Sequence, residues 1–207
     1  MDLLKKKFHE KAEKLRQELR AIAKEHGSTK VDEVNVGQVL GGMRGVKSML
    51  WETSQLDAQK GIRFRGYSIP ELKEELPRFK GGKEPMPEGL FWLMLIGEIP
   101  TEEEALWVSE EWRKRSDVPQ HVFDTLNGLP KDTHPMTQFT IGIMALQNNS
   151  VFAKKYSEGM SKSDYWDATY EDSMNLIAAL PKIAAHIYRS TYHDGDFIEA
   201  DDSLDWS

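Results

Sequence analysis

The sequence predicts an all-α protein that carries one small β-hairpin. Three observations lead there: apolar residues recur three and four apart over most of the chain, Ser/Thr-x-x-Glu helix-start signals appear twice, and only one stretch alternates with period two. The chain has 207 residues, 39% hydrophobic and 29% charged, enough for a sizeable apolar core. Its 34 acidic and 27 basic residues leave a net charge of −7, which offers no support for a nucleic-acid partner. With no cysteine, disulfides, thiolate nucleophiles and Cys-type zinc sites are excluded together, which fits a reducing compartment. The longest apolar run, Leu90 to Ile96, falls far short of the roughly 20 residues that cross a bilayer. The N-terminus lacks a signal-peptide core, and its many Glu residues do not fit a transit peptide, although a presequence removed earlier leaves no trace.

Leu4, Phe8, Ala12, Leu15, Leu19 and Ile22 form one apolar stripe on a charged first helix, and Gly27 is expected to end it in the left-handed conformation. Ser54 and Leu56, then Ile62 and Phe64 after a turn at 57–61, make the hairpin, with Arg63 and Arg65 on its basic face. It is expected to be the chain's only strand pairing. Ser68 with Glu71, and Thr101 with Glu104, are capping boxes for two helices. Between them, residues 79–89 are a Gly/Pro-rich connection, and Pro87 opens a helix whose residues 90–96 are apolar nearly all round and should be buried. Pro119, Pro130 and Pro135 mark starts or breaks around helices near 119–129 and 134–149. The last helix spans about 163–192, with Pro181 expected to kink it, and an acidic loop follows.

Catalytic signals are sparse. The six histidines, at 9, 26, 121, 134, 186 and 193, include no pair at metal-ligand spacing, and each reads as a surface or structural ring; His134, before Pro135, is suited to satisfying backbone groups at a helix start. No G-x-S-x-G elbow exists. The acidic tail, Asp194, Asp196, Glu199, Asp201, Asp202 and Asp205, does not match an EF-hand loop and reads as solvated. The segment Gly41–Gly42–Met43–Arg44–Gly45 is more informative. Glycines let the backbone approach a ligand and turn N–H groups towards an anion, while Arg44 adds a fork of donors suited to phosphate or carboxylate; a tight structural turn is the alternative. Lys162 is a second cation, placed just before the long last helix, where an anion also feels the positive end of the helix dipole.

Residues 41–71 (GGMRGVKSMLWETSQLDAQKGIRFRGYSIPE), 81–104, 129–139 and 155–189 (KYSEGMSKSDYWDATYEDSMNLIAALPKIAAHIYR) resemble the N-terminal half of eukaryotic citrate synthases, and the likeness continues to LDWS at 204–207. The resemblance implies an almost wholly helical fold, with 1–207 forming the N-terminal part of the large domain and the catalytic half and small domain lying outside these residues. It implies condensation of acetyl-CoA with oxaloacetate and water to give citrate and CoA, with acetyl-CoA and CoA as substrate and product and no permanently bound cofactor. It places Arg44 on the phosphates of CoA. Lys162 matches a basic position offered to CoA from the neighbouring subunit, where lysine keeps the charge but loses the bidentate fork. No catalytic residue of the family maps onto this chain. The resemblance further implies a homodimer through the helices near 119–129 and 134–149, on which Met136, Phe139, Ile143, Met144 and Leu146 fit an obligate interface or an intrachain core. It implies a mitochondrial matrix location. A non-catalytic relative acting as a structural or binding subunit, and a methylcitrate-type enzyme using propionyl-CoA, are the alternatives.

Overall fold

The computed structural model describes residues 2–47, 49, 53–199 and 201. The chain folds as two compact units, Met1–Ala105 and Leu106–Ser207. In the first, helix α1 (Leu3–His26) starts where the Asp2 carboxylate accepts the Lys5 N–H at 2.7 Å. Only the N-terminal half of the predicted stripe is covered. Leu4 is fully buried, Lys7 pairs with Glu104 and lies 5.2 Å from the centre of the Trp92 ring, and Lys11 pairs with Glu98. Burial raises the pKa of Glu104, but hydrogen bonds from Lys7 and Thr101 outweigh that effect and hold its carboxyl below the ordinary range. Beyond Arg16 every residue of α1 is exposed. Gly27 departs from the expectation: its φ is −59°, ordinary right-handed backbone, and glycine is suited to the position because a side chain would collide with the Ala23 carbonyl.

The short helix α2 (Val36–Leu40) precedes the predicted hairpin, β1 (Ser54–Asp57) paired antiparallel with β2 (Gly61–Phe64), Leu56 opposite Ile62. Asp57 folds the turn by accepting the Gln59 and Lys60 N–H groups, both at 2.8 Å. Ile62 and Phe64 are half-buried and Arg63 exposed, as the alternation requires, but Leu56 is 76% exposed. The hairpin is not the only strand pairing. A third strand, β3 (Tyr67–Ser68), pairs with the other edge of β2, and an isolated bridge joins Arg78 and Pro85. The β2–β3 turn is Arg65–Gly66, both with positive φ (51° and 92°), the geometry of a tight hairpin without the usual Asn-Gly or Asp-Gly signature. Arg65 is held in that conformation by its guanidinium, which donates to the Met94 carbonyl (Nε at 2.9 Å) near the C-terminal end of the helix Pro87–Ile96.

Both capping boxes form. Ser68 and Glu71 open α3 (Ile69–Glu75), and the Thr101–Glu104 pair, at 2.9 and 3.2 Å, opens α5 (Glu102–Arg115). Pro87 starts α4 (Pro87–Ile96), whose Trp92, Leu93 and Ile96 are buried; Leu93 meets Leu72 and Leu76, with Phe64 and Tyr67 of the sheet beside them. Met94 stays exposed, so cover of α4 is extensive but not complete.

The second unit is organised by α9 (Tyr165–Tyr192). Against it lie α6 (Gln120–Asn127), α7 (Pro135–Ala145), a 3-10 turn (Leu146–Asn149) and α8 (Val151–Ser157). Pro119 and Pro135 stand at helix starts as expected, Pro130 sits in the α6–α7 connection, and α9 runs on through Pro181. Val118, Val122, Leu126, Ala179, Ile183 and Ile187 form a core that Phe139 and Leu146 join from α7 and its end. Gly142 makes the crossing possible: a Cβ there would stand 3.0 Å from Ile183 Cγ2 and 3.5 Å from Leu126 Cδ1. Asp172, midway along α9, fixes the start of α8 by accepting from Ser150 Oγ (2.6 Å) and the Val151 and Phe152 N–H groups (2.7 and 3.0 Å).

Gly142→Ala should therefore overpack the α6–α7–α9 core, lowering stability by about 1–3 kcal/mol in urea unfolding. In an Ile183→Ala background, where the Cγ2 that faces position 142 is gone, Gly142→Ala should cost less than in the parent chain; an equal cost would show that the two positions are not in contact.

Candidate functional site

Arg44 lies in the first unit, in a turn built by local hydrogen bonds. Asn35 and Gln38 form a reciprocal capping box at the start of α2, at 2.9 and 3.1 Å. After Leu40 the chain reverses: Gly41 N–H donates to the Gly37 carbonyl at 2.9 Å, and Met43 N–H to the Gln38 carbonyl at 2.7 Å. Gly42, Met43 and Gly45 then all have positive φ, 76°, 62° and 74°. For glycine this is inexpensive, but Met43 is a side-chain-bearing residue in the left-handed region, a conformation kept only where the surroundings specify it. The N–H groups of Gly41, Gly42, Met43 and Val46 all donate to carbonyls of the same loop, so they are not available to an anion. Arg44 lies between Met43 and Gly45, exposed, and among the described residues no ion pair engages it.

Lys162 lies in the second unit, first in a 3-10 turn (Lys162–Asp164) that leads directly into α9, and it too is exposed. Its surroundings are less favourable to an anion. A hollow of about 470 Å³ in this region, which Lys162 does not line, is bounded by Glu158, Asp164 and Asp167 as well as Trp166, and its cation, Lys155, is committed to Asp167 at 3.0 Å. The acidic residues of the first turn offset the positive helix end that the sequence offered as an attraction. Arg44 and Lys162 belong to different units and neither unit holds both.

The histidines take backbone and packing duties where their contacts are described. His134 caps α7, its Nδ1 accepting the Met136 N–H at 3.2 Å; His121 Nε2 lies 3.0 Å from the Ala145 carbonyl. His186 is held between Phe123 and Phe197 (ring centres 4.7 and 4.8 Å away) with Nε2 2.9 Å from Asn127 Oδ1, and burial lowers its pKa. In the acidic tail, Asp196 pairs with Arg189 at 3.2 Å, while Asp202 and Asp205 lie outside the described residues, as do 204–207. Among the described residues no three His, Asp or Glu side chains gather as metal ligands, and no helix is long and apolar enough to cross a membrane. On α7 the five apolar residues divide. Phe139 and Leu146 face the core, Ile143 lines a hollow of about 530 Å³ with Val118 and Leu176, and Met136 and Met144 are 63% and 67% exposed.

A family model described as "Citrate synthase, C-terminal domain" matches residues 42–207, beginning within the glycine turn. The mitochondrial citrate synthases of Xiphias gladius and Kajikia audax are each 53% identical over 190 residues, covering 91% of this chain and 40% of theirs. The chain thus spans two fifths of the length of these curated relatives. Among solved structures, the fold is similar to citrate synthase from Pyrobaculum aerophilum (TM-score 0.64, 20% identity, 86% of this chain and 44% of that one). It is also similar to citrate synthase from Thermoplasma acidophilum in a ternary complex with carboxymethyl coenzyme A and oxaloacetate (TM-score 0.53, 19% identity, 78% of this chain and 37% of that one).

The burial of His186 makes the fold sensitive to acid. Because its pKa lies below that of a free imidazole, about 6.5, its stabilising neutral form is fully effective above that pH and is lost as pH falls towards the folded value. Between pH 7.5 and 5.5 the urea midpoint should drop less in His186→Gln than in the parent chain; equal drops would show that the ring is not proton-linked to folding.

Proposed function

The chain belongs to the citrate synthase family, and from that membership we propose that it is the N-terminal portion of a citrate synthase, condensing acetyl-CoA with oxaloacetate and water to give citrate and CoA. The observation that carries the proposal is the 53% identity to mitochondrial citrate synthases across 91% of these residues. Residues 1–207 then form the N-terminal part of the large domain, and the acid–base groups for enolisation and condensation come from the remainder of the family's chain. The names of the relatives support a mitochondrial matrix location.

In this reading the residues present hold the substrate and leave bond making to others. CoA carries its phosphates far from the acetyl group that reacts. Binding at that remote end is useful because it orients the thioester without touching it. Arg44 supplies a planar donor fork, always charged and exposed to an incoming ligand. Lys162 supplies a point charge from the neighbouring subunit. A homodimer through α6 and α7 is consistent with the side of α7 that the core leaves uncovered, where Met136, Thr140 and Met144 lie four residues apart.

A thiol-release assay with acetyl-CoA and oxaloacetate tests the reading. The protein purified from its source should release CoA, whereas the polypeptide 1–207 by itself should not; activity from that polypeptide alone would overturn the division of labour. In the active protein Arg44→Ala should raise KM for acetyl-CoA about tenfold or more, as expected for losing charge-assisted hydrogen bonds, and leave KM for oxaloacetate unchanged. Lys162→Arg, which restores the fork, should lower KM for acetyl-CoA, and Lys162→Ala should raise it.

A further inference from the structure

The loop that carries Arg44 is tied at its base by one carboxylate. Asp32 Oδ1 accepts the Glu33 N–H at 2.7 Å, and Oδ2 accepts the Lys47 N–H, fifteen residues further on, at 3.0 Å. Packing does little to hold what lies between. From residue 33 to 46 only Gln38 and Val46 are even half-buried, and Val36 and Leu40 are 75% and 84% exposed. Such a loop keeps one conformation through local bonds or not at all. The capping box fixes its first half; the Asp32–Lys47 contact is the bond that returns the second half to the start.

We propose that Asp32 is a positioning residue for the Arg44 anion site, clasping the ends of the loop so that the Arg44 side chain is presented in one place. The inference rests on reading Arg44 as a contact for the phosphates of CoA. Hydrogen bonds from the Lys47 and Glu33 backbones, with a smaller contribution from the Lys47 charge, hold the Asp32 carboxyl below the usual carboxylate range, so the clasp is ionised at neutral pH.

The sign of a single measurement separates this role from simple electrostatics. A carboxylate near an anion site repels the ligand, so its removal tightens binding if charge is all that matters. A clasp gives the opposite result, because the affinity falls by the fraction of time the loop spends in the competent form. Calorimetric titration of the intact protein with CoA should show Asp32→Ala binding about threefold to tenfold more weakly, a loop competent a third to a tenth of the time. Asp32→Asn, which keeps one acceptor, should lose less. In an Arg44→Ala background the Asp32 substitution should change affinity less than about twofold, because there is little left to position. Hydrogen exchange at the Lys47 amide should quicken in Asp32→Ala while amides of α4 are unchanged. Equal or tighter binding by Asp32→Ala, or unchanged exchange at Lys47, overturns the clasp alone when Arg44→Ala weakens CoA. If Arg44→Ala leaves CoA affinity intact, the phosphate reading and the clasp fall together.

Discussion

The second unit depends on one constraint, the burial of two apolar stretches on a single 28-residue helix. Ala168, Tyr170, Met174 and Ala178 along the first half of α9, and Ala179, Ile183 and Ile187 along the second, all leave water. Each large aliphatic side chain so buried is worth about 1.5–3 kcal/mol, more than any exposed ion pair on the same surface. Covering the second stretch needs two helices in close approach, which is why α7 presents Gly142 to Ile183. Near the first, Asp172 takes the free N–H groups at the start of α8 and fixes that helix to α9 by charge-assisted bonds. The short segment from Ser157 to Lys162 is thereby held at both ends, and the position of Lys162 follows from the packing of α9.

The first unit places its cation differently. The cores of α3, α4 and the sheet close around Leu72, Leu76 and Leu93, and the covered part of α1 lies around Leu4 and Lys7. None of this reaches residues 27–47. Their order comes from side chains acting on nearby backbone: Asn35 with Gln38, and Asp32 with Glu33 and Lys47. A loop fixed by polar bonds instead of burial leaves the Arg44 side chain exposed, as the proposed anion contact requires.

Features whose cause is local were legible in the sequence. The Ser68–Glu71 and Thr101–Glu104 boxes, the helix-opening Pro87 and Pro135, the His134 cap and the 57–61 turn each need only neighbours within four residues. What the sequence did not reveal depends on distant partners. The Arg65–Gly66 turn lacks the expected residue pair because a guanidinium bonded to the end of α4 holds Arg65 in place, so β3 was missed. Gly27 is there for lack of space, not for its φ. On α7, periodicity could not separate a core face from an interface face, and the residues proved to be divided between core and solvent. The glycine–arginine turn drew attention by composition, but the ligand was named only through the resemblance, and Asp32 carried no periodic or motif signal at all.

Charge explains why geometry has to decide the anion site. At −7 the chain repels an anionic substrate at long range, but at physiological ionic strength that field is screened beyond about 8 Å. Attraction must arise within that distance. A lone exposed ammonium such as Lys162 gains little in water. A guanidinium aligned with two oxygens of a phosphate gains more, because its planar fork loses less freedom per hydrogen bond formed. Holding Met43 at φ 62° opposes that alignment with a backbone penalty of roughly 1–3 kcal/mol. On the proposed reading, that penalty is the cost of presenting Arg44 from an exposed turn that no core imposes.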